Sequence, residues 1–173
     1  MLITAQPRKL RQVSNKAAQS RNLRTGRYSE PGRIYFVTST CFDRQKHFLC
    51  SASARILCDE FNSLGNQSNR LNLAYVVMPD HFHWLVQLDR ESTLDKVVRN
   101  LKGRSARRIS ELRLAATRIW QPGYHDHAVR VEEDLENLSN YLILNPVRAG
   151  LVSDVDDYPF WDSVWHQRKV CRG

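Results

Sequence analysis

What the chain lacks narrows its class before any motif is read. It has no run of 18 apolar residues, the length a helix needs to cross a bilayer, and its N-terminus has no apolar core of a secretory signal. A cytoplasmic protein with no membrane partner is therefore expected. Its four cysteines, Cys41, Cys50, Cys58 and Cys171, include no Cys-x-x-Cys pair, so neither a zinc ribbon nor a disulfide framework is suggested. No internal repeat or low-complexity segment is evident, and 173 residues with 42% hydrophobic content suit a single core. Acidic charge is scarce as well: 18 Asp+Glu stand against 26 Lys+Arg. That balance points to a polyanion as partner, nucleic acid before membrane.

The cations are unevenly spread. Over residues 1–30, Arg8, Lys9, Arg11, Lys16, Arg21, Arg24 and Arg27 face a single acid, Glu30, with few large apolar residues after Leu10. This composition predicts a flexible basic arm, with Arg21, Arg24 and Arg27 as phosphate contacts; the alternative is a solvated tail without a role. Pro31-Gly32 then punctuates the start of one folded domain over 31–173.

Periodicity places the elements. Residues 33–40 are rich in β-branched and aromatic side chains and predict a strand. Ala54, Leu57, Cys58, Phe61 and Leu64 form one stripe of a helix over 51–64, with Gly65 as its stop. Segments 71–78 and 81–88 read as two strands joined tightly through Pro79-Asp80 into an antiparallel hairpin. From Ser92 the period becomes helical, with Leu94, Val97, Val98 and Leu101 on one side and Gly103 as an interruption. The outer face and continuation of that helix hold Lys96, Arg99, Lys102, Arg104, Arg107 and Arg108. Such a surface either contacts phosphates or is a solvated helix face. Residues 119–121 and 127–130 are short strand candidates, and 131–144 a third helix with Val131, Leu135, Leu138 and Leu142 inward. The order implies an α+β protein with a ferredoxin-like antiparallel sheet, a βαββαβ core, and helices packed on it.

Met78-Pro-Asp-His-Phe-His-Trp-Leu-Val-Gln-Leu88 carries the chemistry. In a strand His81 and His83 share one face while Phe82, Trp84, Val86 and Leu88 occupy the other. One face then packs a core while the other presents two imidazoles, about 6 to 7 Å apart at the backbone, either to a divalent cation or merely to solvent. Tyr141 and Asn145 stand four apart, one helical turn, so a phenol and an amide oxygen point together if the helix continues. Pro146 disfavours helical backbone at Asn145. If the third helix lies across the histidine face, His81, His83 and Asn145 offer two nitrogens and one oxygen to Mg²⁺ or Mn²⁺. Tyr141 is then either a nucleophile beside a bound phosphate or a core tyrosine bordering the Leu138 and Leu142 stripe. His125 and His127, beside Pro122-Gly123, read as surface residues. Trp120, Trp161 and Trp165 read as packing residues rather than as platforms for unpaired bases.

His81-Phe82-His83 resembles the HUH motif of single-strand DNA nucleases. In chain order, Met78-Pro-Asp-His-Phe-His-Trp, Leu101-Lys-Gly, Trp120-Gln121, His125-Asp-His127, Tyr141 with Asn145-Pro-Val-Arg-Ala-Gly-Leu-Val152, and Tyr158-Pro159 together resemble the REP-associated tyrosine transposases, over roughly residues 30 to 165. The resemblance implies metal-dependent strand transfer, with Tyr141 attacking a phosphodiester to form a 5′-phosphotyrosine link and free a 3′-hydroxyl. It implies single-stranded DNA hairpins of repetitive extragenic palindromes as substrate. A monomer is expected ahead of a homodimer. Two departures stand out. Many relatives in the wider single-tyrosine group carry Gln where this chain has Asn145, and Phe160-Trp-Asp-Ser has an extra aromatic after Tyr158-Pro159. Two other functions are compatible with the same residues: a hairpin-binding protein without chemistry, and a metal-dependent hydrolase that uses activated water.

Overall fold

The computed structural model describes residues 29–67, 71–130 and 133–166. The segment richest in β-branched residues forms β1, Ile34–Thr40. It is followed by helix α1, Ser51–Gln67, strands β2, Leu71–Met78, and β3, His81–Gln87, and helix α2, Leu94–Arg113. Strand β4, His125–Ala128, helix α3, Leu135–Ile143, the short helix α4, Asn145–Arg148, and strand β5, Trp161–Ser163, complete the order. The first six elements are the expected βαββαβ unit. All neighbours in the sheet pair antiparallel, in the order β4-β1-β3-β2-β5, which puts the histidine strand at the centre.

The sheet is covered on both faces. Phe82, Trp84 and Val86 point from β3 into a core shared with Leu57 and Phe61 of α1 and Val97, Leu101 and Ile109 of α2. On the other face Leu85, Val76 and Met78 pack with Leu142 and Ile143 of α3 and with Tyr158 and Trp161. The third helix therefore does lie against the face that carries His81 and His83. Its N-terminus is set by Asp134, whose carboxylate accepts from the backbone N–H groups of Glu136 and Asn137. No helix among the described residues is long and apolar enough to cross a membrane.

Several boundaries differ from those the sequence predicts. Gly65 does not stop α1, which continues to Gln67. Gly103 does not interrupt α2: one glycine weakens a helix by only about 1 kcal/mol, and buried Val97, Val98, Leu101, Ser105 and Ile109 hold the turns around it. Of the two short strands expected between 119 and 130 only β4 forms, two residues earlier than the pattern predicts, while Trp120 makes a single bridge with Cys41. Residues 131 and 132 lie outside the described residues; the third helix starts at Leu135, where the Asp134 cap sets its first turn, and ends at Ile143. Pro146 is the cause: it has no N–H for the carbonyl of Leu142, which accepts the Asn145 side-chain amide at 2.8 Å instead. Strand β5 has no counterpart in the sequence pattern. It pairs Val76 with Trp161 and Ala74 with Ser163, and Trp161 is buried in the core.

Candidate active site

Register assembles the site from three strands. His83 lies opposite Thr38 of β1 and Val76 of β2, and His81 opposite Thr40 and Met78. The two imidazole centroids are 4.8 Å apart with their planes nearly perpendicular. Each ring is held at Nδ1: that of His81 lies 2.6 Å from Asp80 Oδ1, and that of His83 lies 2.8 Å from Thr38 Oγ1. Held in this way, each Nε2 is the nitrogen left for coordination. Burial, then the neighbouring His81 and Arg148, push the His83 imidazole down to about 4, so at neutral pH it is uncharged, the form a metal needs.

Tyr141 is 59% exposed, which removes the core-tyrosine alternative. The Arg148 guanidinium lies 3.9 Å from its ring centroid. The same side chain donates from Nη2 to the Tyr141 carbonyl at 2.7 Å and to Asn145 Oδ1 at 2.8 Å. Arg148 thus clamps phenol, helix end and amide together, and its charge also reaches His83. Sequence reasoning passes over it, although it stands within the Asn145-Pro-Val-Arg motif. Asn145 is less free than its spacing suggests: Nδ2 donates to Leu142 O and Oδ1 already accepts from Arg148.

A divalent cation fits the histidine pair on donor chemistry, with one limit. Among the described residues no group of three or more His, Cys, Asp and Glu is placed to hold a metal, so beyond two imidazoles the set depends on amide or external oxygen. His125 and His127 are exposed, as expected of surface residues, and are carried by β4. The shift of β4 places His125 opposite Thr38 and His127 opposite Phe36, in the same cross-strand rows as His83 and Leu85. The His127 ring stacks on Phe36 at 5.5 Å, and Phe36 also touches His83.

The expected DNA contacts divide in the same way. Lys102 donates to the carbonyls of Gln121 and Gly123 at 2.8 and 2.6 Å, pinning a loop. Arg104 and Arg108 reach the buried Glu60 carboxylate at 2.7 and 2.8 Å, so both tie α2 to α1. Arg107 remains on the surface with Glu111 one turn on. Arg21, Arg24 and Arg27 lie outside the described residues. Trp120 and Trp161 are buried packing residues.

A family model described as IS200-like transposase matches residues 36–144. The REP-associated tyrosine transposase of Escherichia coli strain K12 is 28% identical over 148 residues, covering 85% of this chain and 84% of that protein. A REP-associated tyrosine transposase relative from Haemophilus influenzae is 28% identical over 143 residues, covering 75% of this chain and 78% of the relative. Among solved structures, a REP-associated tyrosine transposase bound to a REP hairpin superposes with a TM-score of 0.64 at 26% identity, covering 78% of this chain and 79% of that one.

Proposed function

The chain belongs to the IS200-like transposase family, and from that premise we propose that it nicks and rejoins single-stranded DNA at hairpins of the REP type, with Tyr141 as nucleophile. The observation that carries the proposal is the single face on which β3 presents His81 and His83 while α3 packs beside them, with Arg148 over the Tyr141 ring and its charge among the causes that lower the His83 pKa. The solved relative bound to a REP hairpin supports the same substrate class.

In the reaction the Tyr141 phenol oxygen attacks the scissile phosphorus as its proton leaves. The bond from phosphorus to the 3′ oxygen breaks, and that oxygen departs as a 3′-hydroxyl after taking up a proton. The phosphate remains on Tyr141 as a 5′-phosphotyrosine ester, and attack by a 3′-hydroxyl reverses the step. A neutral phenol is a weak nucleophile, so placement and charge neutralisation at phosphorus carry the rate. When bound, Mg²⁺ or Mn²⁺ supplies Lewis-acid polarisation of the phosphate. His81 and His83 would hold it through Nε2, and Asn145 Oδ1, which accepts from Arg148, would be the third donor. Arg148 holds the phenol ring and contributes positive charge where the phosphate arrives. Arg107, Arg21, Arg24 and Arg27 supply phosphate contacts remote from the cut; the arm of residues 1–30 serves a single nuclease domain that works as a monomer.

Denaturing gel electrophoresis of the protein with labelled hairpin DNA, with Mg²⁺ or Mn²⁺ and with chelator, tests the proposal. A metal-dependent protein–DNA band that disappears in Tyr141→Phe, while hairpin binding persists, is the expected result. Binding with no covalent band from the unaltered protein assigns it to hairpin recognition without chemistry, and a free 5′-phosphate without adduct assigns it to water attack.

A further inference from the structure

The face of the sheet that carries His81 and His83 is covered unevenly. Helix α3 packs chiefly on β2 and also on β5, to one side of the central histidine strand. On the other side lie β1 and β4, and there the face is open: Thr38 is half-buried, and His125 and His127 are exposed. Register puts His83, Thr38 and His125 in one cross-strand row, and residues directly opposite one another project from the same face. Two strand spacings, about 10 Å, separate His83 from His125 at the backbone, and in the row only the small side chain of Thr38 stands between them. The two histidines of β4 differ in what holds them. His127 stacks on Phe36, and its Nε2 lies 3.9 Å from Glu133 Oε2. Among the described residues neither a hydrogen bond nor an ion pair holds the His125 ring. An imidazole gives and takes protons close to neutral pH, and this one does so without giving up a structural contact.

In-line displacement at phosphorus puts the attacking and leaving oxygens on opposite sides of the phosphate. Helix α3 brings Tyr141 to the β2 side of the histidine strand, and His125 stands on the β1 and β4 side. We propose that His125 is the catalytic residue that protonates the leaving 3′ oxygen. The proposal rests on the reading of the chain as a tyrosine nuclease and gives a source to a proton that this reading leaves unassigned. As the bond from phosphorus to the 3′ oxygen breaks, its electron pair goes to that oxygen, which takes a proton from the His125 imidazolium and leaves as a hydroxyl. The phenol proton passes to water, and His125, left neutral, recovers its own proton from water. In rejoining, neutral His125 takes the proton of the attacking 3′-hydroxyl while the bond from phosphorus to the Tyr141 oxygen breaks and the phenolate is reprotonated by water.

A sulfur leaving group isolates this proton, because a thiolate is a far weaker base than an alkoxide and departs without one. Single-turnover formation of the protein–DNA adduct by the full chain is measured in Mn²⁺ on two hairpin DNAs that differ only at the scissile bond, one with the natural 3′ oxygen and one with sulfur in its place. His125→Gln is expected to slow the oxygen substrate by about 10²- to 10⁴-fold and to cleave the sulfur substrate at the rate of the unaltered protein. Its affinities for Mn²⁺, by calorimetry, and for the hairpin, by fluorescence anisotropy, are expected to be unchanged, which also shows that the variant is folded. Equal slowing of both substrates or no slowing of either overturns the assignment, as does weaker Mn²⁺ binding, which makes His125 a metal ligand instead. Tyr141→Phe is expected to form no adduct with either substrate. If the unaltered protein forms none, the nuclease reading fails and the proposal with it, whereas an adduct that His125→Gln forms at full rate on the oxygen substrate removes only the proton donor.

Discussion

Asp80 and Thr38 do for the two imidazoles what spacing cannot, since each holds one Nδ1 and so fixes which nitrogen faces outward. Asp80→Asn should weaken Mn²⁺ binding roughly 10- to 100-fold by isothermal titration calorimetry, the usual effect of losing a carboxylate behind a metal-binding histidine. Tyr141→Phe should leave that affinity unchanged. A second histidine tests electrostatics away from the site. His47 is buried and its Nδ1 lies 2.8 Å from Arg113 Nη1; burial first, then the Arg113 charge, lower its pKa below the ordinary 6.5. The folded protein therefore binds this proton less readily than the unfolded chain does, so its contribution to stability is whole above pH 6.5 and is lost as pH falls below it. NMR titration should place the His47 transition below 6.5, and Arg113→Met should raise it. At this scale the histidine pair is legible because strand periodicity is local. Thr38 is not, because its role depends on a partner 45 residues away.

Helices α1 and α2 show how a charged stripe is divided between two tasks. The cations of α2 read in sequence as one surface, yet Arg104 and Arg108 converge on Glu60, whose side chain is only 2% exposed. That carboxylate lies 48 residues before Arg108, so no helical spacing reveals the pairing. Replacing both arginines by methionine leaves a buried charge without its partners and should cost about 3 kcal/mol in urea unfolding. Adding Glu60→Met should recover a large part of that loss. If the arginines served DNA instead, the double variant would keep its stability and lose affinity. The end of α3 is partly legible: Pro146 forecasts the break, but not the amide of Asn145 taking over the Leu142 carbonyl. Strand β5, three residues long, carries too little pattern to be recognised before its partner β2 is known.

For the molecule as a whole, the formal charge of +8 makes salt the natural probe. Binding of hairpin DNA should weaken steeply between about 50 and 200 mM salt, with log affinity linear in log salt. Removing residues 1–28 takes away seven cations and no acid. If the arm grips phosphates, that truncation flattens the slope by about 0.7 to 0.9 for every phosphate no longer neutralised, measured by anisotropy across a salt series. An unchanged slope makes the arm a bystander. The overall fold is the most legible level, since the βαββαβ order follows from successive periods of two and 3.6.

The packing of α3 has a consequence in time. Ser139 of α3 meets Ser163 of β5 at 2.8 Å, and Leu142 and Ile143 share their cluster with Tyr158 and Trp161, while the Tyr158 hydroxyl donates to the Val77 carbonyl. The helix bearing Tyr141 is therefore secured by residues that leave the ribosome after it. A nascent chain still lacking β5 has its histidine strand but no anchored Tyr141, so the two halves of the candidate site come together only once β5 has been made.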